Sequence, residues 1–199
     1  MIADWESHRP LSGHAQRHPH DSLALSASIV TIGTFDGVHR GHQALLLEIT
    51  RQARRAGCAS VVYTFDPPPK TAFGGKMQLT PVDEKLRRIS HFGIDHIIVA
   101  QFDRDYAARP PEAFLNELGR LNPQQVWVGA DFRFGAGRAG DVATLARHFD
   151  TRVIEEIGCA EGERISSTRL RNLYEDGRGE DARRLHGWPA EGCLPGTMD

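Results

Sequence analysis

Five short apolar runs, each handed over to a stretch of helical periodicity, constrain this 199-residue chain more than any other feature. The first begins at Ile29, and the others are Ala59–Phe65 (ASVVYTF), Asp95–Gln101 (DHIIVAQ), Gln125–Ala130 (QVWVGA) and about Thr151 to Glu156. They are β-branched and aromatic, and nearly continuous rather than alternating, as strands buried on both faces must be. Between them, His42–Ala56 sets Ala44, Leu45, Leu46 or Leu47, and Ile49 on one face. Glu48, Arg51, Gln52, Arg54 and Arg55 lie on the other, and Gly57 is the stop. Pro81–Phe92 places Asp83 and Glu84 in its first turn and Arg87 and Arg88 later, the order that suits a helix dipole. Helices at about Pro111–Gly119 and Asp141–Phe149 complete a βαβαβαβαβ succession. It predicts an α/β fold: a Rossmann-like, doubly wound, mainly parallel five-stranded sheet with helices on both faces. A small helical segment closes the domain, starting near Ser166 or Ser167 and resuming near Glu180.

This domain is expected over residues 25–187. Residues 1–24 carry His8, His14, His18 and His20 at irregular spacing among Pro10, Gly13 and Pro19, and are expected to form a loosely ordered arm. Residues 188–199, rich in Gly and Pro, are expected to be a loose tail. Composition is that of a soluble protein, 40% hydrophobic and 25% charged, and the formal net charge of −2 points to neither nucleic acid nor an anionic membrane. Cys58, Cys159 and Cys193 are too scattered for a disulfide framework or a cysteine zinc site. No apolar run has the length of a membrane span, and Asp4, Glu6, His8 and Arg9 interrupt any signal peptide, so a cytoplasmic protein is expected.

Ligands of a parallel sheet bind outside the carboxyl ends of its strands. The four unusual loops, GTFDGVHRGH, TFDPPPK, QFDRDY and GADFRFGAGRAG, all follow strand ends and should converge on one crevice. In the first, a strand breaks at Gly33-Thr34-Phe35-Asp36-Gly37 and a helix begins at the H-x-G-H of His39, Gly41 and His42. Free N–H groups and a positive dipole end make that helix start an anion site, and Gly41 lets a ligand approach the backbone. In RISSTRLR, Arg169 and Arg171 occupy a first helical turn where cations oppose the dipole, so an anion there would explain them. Two such sites facing one crevice suit a nucleoside triphosphate attacked at phosphorus, with Mg²⁺ bridging its phosphates. Asp36 is the nearest carboxylate, with a turn role as the alternative. H-x-x-H lacks a third ligand for zinc, so no protein-held metal is expected. Phe65, Phe132 and Phe134 are either core or an apolar wall for a flat ring.

GTFDGVHRGH, TFDPPP, LTPVDEKLRRI, VGADFRFGAGRAGD and RISSTRLR, in this order over about residues 28–187, resemble the adenylyltransferase module of prokaryotic FAD synthetases. H-x-G-H alone would indicate only the wider nucleotidyltransferase superfamily. The resemblance implies ATP and FMN giving FAD and pyrophosphate, with Mg²⁺, by direct attack of the FMN phosphate on the α-phosphorus. By resemblance, His39, His42, Arg164, Ser167 and Thr168 are catalytic. Gly33, Thr34, Phe35, Gly41, Asp131 and Arg169 join His39, His42, Ser167 and Thr168 around ATP. Phe65, Asp66, Pro67, Phe132 and Phe134 are implied on the flavin side. Many relatives carry a histidine where this chain has Pro68, which bears on the acceptor more than on ATP. No P-T-A-N motif of a riboflavin kinase is present, so FMN made elsewhere is expected as substrate. Two alternatives are a cytidylyltransferase-like enzyme with another phosphorylated acceptor and a nucleotide- or flavin-binding protein without turnover.

Overall fold

A computed structural model describes residues 15–154 and 165–188. Its sheet strands are β1 (Gln16–Pro19), β2 (Ser28–Ile32), β3 (Ala59–Asp66), β4 (His96–Gln101), β5 (Pro123–Gly129) and β8 (Thr151–Ile154), with a small antiparallel pair, β6 (Arg133–Phe134) and β7 (Gly140–Asp141), after β5. The helices are α1 (Arg40–Ala56), α2 (Pro69–Ala72), α3 (Val82–Ser90), α4 (Arg104–Ala107), α5 (Pro111–Gly119), α6 (Val142–Ala146), α7 (Ser167–Glu175) and α8 (Gly179–His186). All six sheet strands are parallel, in the order β1-β4-β3-β2-β5-β8. The chain steps from β2 to β3 to β4, then returns to the other side of β2 as β5. The order therefore reverses between β2 and β5, and a crevice opens there at the carboxyl ends.

The period of two sorts the strand residues onto two cores. Ile29, Val62 and Ile97 meet Leu45, Leu46, Ile49 and Ala53 of α1 and Leu86 and Ile89 of α3. Val30, Ile32, Val61, Tyr63, Ile98, Val126 and Val128 meet Phe114, Leu115 and Leu118 of α5 and Leu145 of α6. Every residue of β2 is buried, and its two hydroxyls are satisfied inside, Ser28 donating to the Leu121 carbonyl at 2.7 Å and Thr31 to the Trp127 carbonyl at 3.0 Å.

The sheet has six strands where the sequence leads one to expect five. The sixth, β1, lies in the stretch read as a loose arm. It pairs in parallel with β4 from Gln16↔His96 to Pro19↔Val99, and the Gln16 N–H adds a bond to the Asp95 carbonyl at 2.9 Å. It supplies backbone partners to what would otherwise be an open edge, and its side chains are mostly exposed, so no apolar pattern announces it. Two single turns also fall in expected loops. Pro69, the residue read as a breaker, occupies the first position of α2, where a missing N–H costs nothing. Asp103 caps α4 by accepting from the Tyr106 N–H.

Candidate functional site

The segment after β2 is held to β3 as it leaves the sheet. The Gly33 N–H donates to the Tyr63 carbonyl at 3.0 Å, and the Thr64 hydroxyl donates to the Thr34 carbonyl at 3.1 Å. Phe35, Gly37 and Val38 then take positive φ (49°, 89° and 43°), while Phe35 and Val38 stay buried. The turn is compact because the Phe35 and Val38 side chains point into the core. Neighbouring loops at the same sheet end touch in series: the Phe102 N–H bonds the Asp66 carbonyl at 2.9 Å, and the Ala136 N–H bonds the Arg109 carbonyl at 2.7 Å.

Helix α1 starts at Arg40, two residues before the expected start, because His39 is its N-cap. The Nδ1 of His39 accepts from the His42 N–H at 3.4 Å. A Cβ on Gly41 would stand 3.2 Å from that Nδ1. What Gly41 admits is therefore the chain's own His39 ring, rather than a ligand alone. The two imidazoles stack with centroids 3.7 Å apart and planes at 17°, and His42 also leans on Phe35 at 5.0 Å. Burial holds the His42 imidazole well below the ordinary histidine range, reinforced by the charges of His39, His186 and Lys85. Its Nδ1 is buried and has no hydrogen-bond partner among the described residues. His42 is thus a neutral imidazole at the mouth of a helix dipole, and an incoming polyanion would supply the counter-charge its neighbours withhold.

Asp36 has the turn role. It is 1% exposed, and its carboxylate accepts from the N–H groups of Leu79 (3.0 Å) and Thr80 (3.2 Å) and from Arg171 at 2.5 Å. Arg171 donates its Nε to the Met77 carbonyl at 2.7 Å. The anion that explains Arg171 is therefore Asp36, not a ligand. With both oxygens engaged, Asp36 does not face a metal, and no group of three or more His, Cys, Asp or Glu among the described residues is placed to hold one.

Ser166, rather than Ser167, caps α7 by accepting from the Arg169 N–H at 3.2 Å. The Ser167 hydroxyl donates to the Asp36 carbonyl at 2.8 Å, and so ties the start of α7 to the turn that starts α1. Thr168 is exposed beside it and Arg169 is half-buried. Arg164 lies outside the described residues, as do Cys159 and Cys193.

On the flavin side named by the resemblance, Phe65 and Phe134 are core residues, 9% and 7% exposed. Phe132 is half-buried and stacks on Phe134 at 5.6 Å, and Asp131 is exposed beside it. Asp66 is half-buried at the end of β3, and the Asp66–Pro67 peptide is cis. Of the aromatic candidates, Phe132 is the one with a face left for a ring.

Several residues that build the turn are not singled out by sequence reasoning. His186 and Arg88 (3.2 Å) both donate to the Gly37 carbonyl, using its two lone pairs. Gln43 and Trp188 donate to the Val38 carbonyl at 2.9 and 2.8 Å. Trp188, placed in the expected loose tail, is buried against the α1 face of the core. Arg88 stacks on its ring at 5.1 Å and bonds Glu84 at 2.6 Å.

His186 is pushed down to about 4, first by burial and then by the Arg88 charge. Unfolded, it returns to about 6.5. Between those values the unfolded chain binds a proton that the native chain refuses. Its contribution is therefore intact above pH 6.5 and is lost as pH falls toward 4, by at most about 3 kcal/mol. Urea midpoints taken from pH 7.5 to 4.5 should fall, and His186→Gln should make that slope shallower. An equal slope in the variant would remove His186 as a cause.

A family model described as FAD synthetase matches residues 22–169. A Geobacillus thermodenitrificans protein, provisionally named a bifunctional riboflavin kinase/FMN adenylyltransferase, is 52% identical over 84% of this chain and 93% of its own length. The bifunctional riboflavin kinase/FMN adenylyltransferase of Escherichia coli is 37% identical over 81% of this chain and 54% of its own length. A FAD synthetase of Listeria monocytogenes is 33% identical over 82% of this chain and 70% of its own. The chain thus spans about half the length of the Escherichia coli relative. A crystal structure described as a macrolide-efflux protein from Streptococcus pneumoniae superposes with a TM-score of 0.75 at 26% identity, covering 88% of this chain and 62% of that one. Among the described residues, no helix of the present chain is long and apolar enough to cross a membrane.

Proposed function

We propose, from the premise that this chain belongs to the FAD synthetase family, that it transfers the adenylyl group of ATP to FMN. A phosphate oxygen of FMN forms a bond to the α-phosphorus of ATP, the bond from that phosphorus to the bridging oxygen breaks, and pyrophosphate leaves with the electron pair. The observation that carries this reading is the joining of two helix starts at one turn. The turn before α1 and the cap of α7 meet through Asp36 and Ser167, at the sheet's switch point. Free N–H groups and dipole ends of both helices would face the triphosphate, where protein groups mainly position reactants and balance charge.

In this reading the turn from Gly33 to His42 cradles the ATP phosphates. His42 changes state on binding: the polyanion favours a proton on the imidazole, which then donates toward the phosphate oxygens. His39 stays in place as cap and stacking partner. Thr168, exposed at the start of α7, offers its hydroxyl, while the Ser167 hydroxyl is engaged with the Asp36 carbonyl. Arg164 and Arg169 would add charge near the same helix end. Phe132 and the strand-end loop from Phe65 through Pro67 would flank the flavin, with Asp131 at the adenine or flavin edge. Mg²⁺ would arrive on the ATP phosphates and neutralise their charge, since Asp36 is already engaged by Arg171.

Purified protein given Mg²⁺-ATP with FMN should form FAD, detected by chromatography, and riboflavin should give none. Consumption of CTP with an alcohol phosphate would instead establish a cytidylyltransferase. Bound nucleotide with no product from any pair would establish a binding protein.

A further inference from the structure

Helix α3 carries two buried cations that serve neither the solvent nor the helix dipole. Lys85 has no exposed surface, and Arg88 is 9% exposed. Three residues apart, they lie on one face of the helix. Their donors reach backbone carbonyls of two different loops: Lys85 Nζ lies 2.7 Å from the Phe65 carbonyl, and Arg88 lies 3.2 Å from the Gly37 carbonyl. Phe65 leads directly into the loop from Asp66 to Lys70, and Gly37 belongs to the phosphate turn. The segment entering α3 also holds the turn, through the N–H groups of Leu79 and Thr80 on Asp36.

The sheet explains why a lysine is needed. Strand β2 ends its pairing at Ile32↔Tyr63, while β3 continues to Asp66. The Tyr63 carbonyl accepts from Gly33 on the β2 side, so by the period of two the Phe65 carbonyl faces that side as well. No strand residue is left there to bond it. The Lys85 ammonium takes the place of the missing ladder partner, at the carboxyl end of the sheet where β3 runs on past β2. Burial pushes the Lys85 ammonium below its ordinary range, and Asp66 and Asp36 offset part of that cost.

We propose that Lys85 is a positioning residue for adenylyl transfer, locking the strand end that carries the acceptor loop in register with the turn that holds the triphosphate. The inference rests on the adenylyl-transfer reading given above. Each loop can bind its own ligand without the lock, but in-line attack needs both ligands in one geometry, and a misplacement of 1 Å can lower a rate by about 10²-fold. Lys85 touches neither substrate; it acts through the Phe65 backbone.

The test compares wild type with Lys85→Met and Lys85→Gln. Folding is checked by circular dichroism, ATP and FMN affinities are measured singly, and kcat is measured for FAD formation. Lys85→Met should lower kcat at least tenfold while each single-ligand Kd stays within about threefold. Lys85→Gln keeps a donor within reach of the carbonyl and should recover part of the loss. If Lys85→Met does not fold, the same split in Lys85→Gln supports the proposal. Wild-type kcat in Lys85→Met overturns it, as do losses of affinity as large as the loss of kcat or, where Lys85→Met does not fold, wild-type kcat in Lys85→Gln. A wild type that forms no FAD overturns the adenylyl-transfer reading and this inference with it; an active wild type with unaffected variants overturns the inference alone.

Discussion

Replacing His42 by alanine should lower FAD formation by about 10²-fold or more while leaving the fold intact, the scale on which a single preorganised donor contributes to a charged transition state. The expectation follows from where the ring sits. His42 packs on His39 and Phe35, and its Nδ1 has no partner to lose, so truncation leaves no protein group orphaned. Its imidazole is held neutral first by burial and then by the neighbouring His39, His186 and Lys85. On the adenylyl-transfer reading, a ring protonated beside the bound polyanion raises kcat to the extent that its donation strengthens as charge builds on the leaving pyrophosphate. His39→Ala should lower turnover on the same scale, but it also removes the cap of α1, worth about 0.5–2 kcal/mol. Thermal melts therefore separate the two variants: His42→Ala should melt near wild type and His39→Ala below it. Unchanged turnover in both would end the assignment of these rings to the reaction.

The largest effect on stability should come from Arg171→Met. The Asp36–Arg171 pair is buried on both sides, with side chains 1% and 6% exposed. Removing the guanidinium leaves a carboxylate out of water with two backbone N–H groups and no hydrogen-bonded cation. Breaking one side of a buried pair costs about 3–5 kcal/mol, more than the pair itself contributes. Denaturant unfolding should show a loss of that order. The double replacement Asp36→Asn with Arg171→Met should recover a good part of it, because an amide can accept the same N–H groups without a charge. A loss below about 1 kcal/mol in Arg171→Met would mean that water reaches the carboxylate. Turnover should fall in the single variant beyond what unfolding explains, since Asp36 joins the starts of α1 and α7.

The sheet and the turn between β2 and α1 are legible in the sequence for a physical reason. Strands covered on both faces exclude charge and favour β-branched and aromatic residues, and Ser28–Ile32 and Ala59–Phe65 are written that way. The same reason hides β1, whose Gln16, Arg17 and Pro19 face solvent and whose contribution is backbone alone. At the site, spacing shows that His39 and His42 sit together, but not that one caps the helix for the other. Gly41 reads as room for a ligand, and its nearest neighbour is the His39 ring. Arg88 reads as a dipole-friendly residue late in a helix. Its burial comes from Trp188 and His186, one hundred positions away, and no local pattern carries that distance. Arg171 suggests an anion correctly, but the sequence does not say that the anion is internal.

The bonds that fix the turn span unusual stretches of chain: 135 residues from Asp36 to Arg171, 149 from Gly37 to His186 and 150 from Val38 to Trp188. Strands β2 to β5 can pair as soon as they leave the ribosome, yet the turn between β2 and α1 has no finished scaffold until α7 and α8 have been made. At about 5–20 residues per second, that is a delay on the order of ten seconds. During that interval the early domain holds its core without a completed phosphate cradle, and the closing contacts must bear the entropy of long loops. On the adenylyl-transfer reading, a nascent or C-terminally nicked chain would keep much of its sheet while losing its hold on ATP.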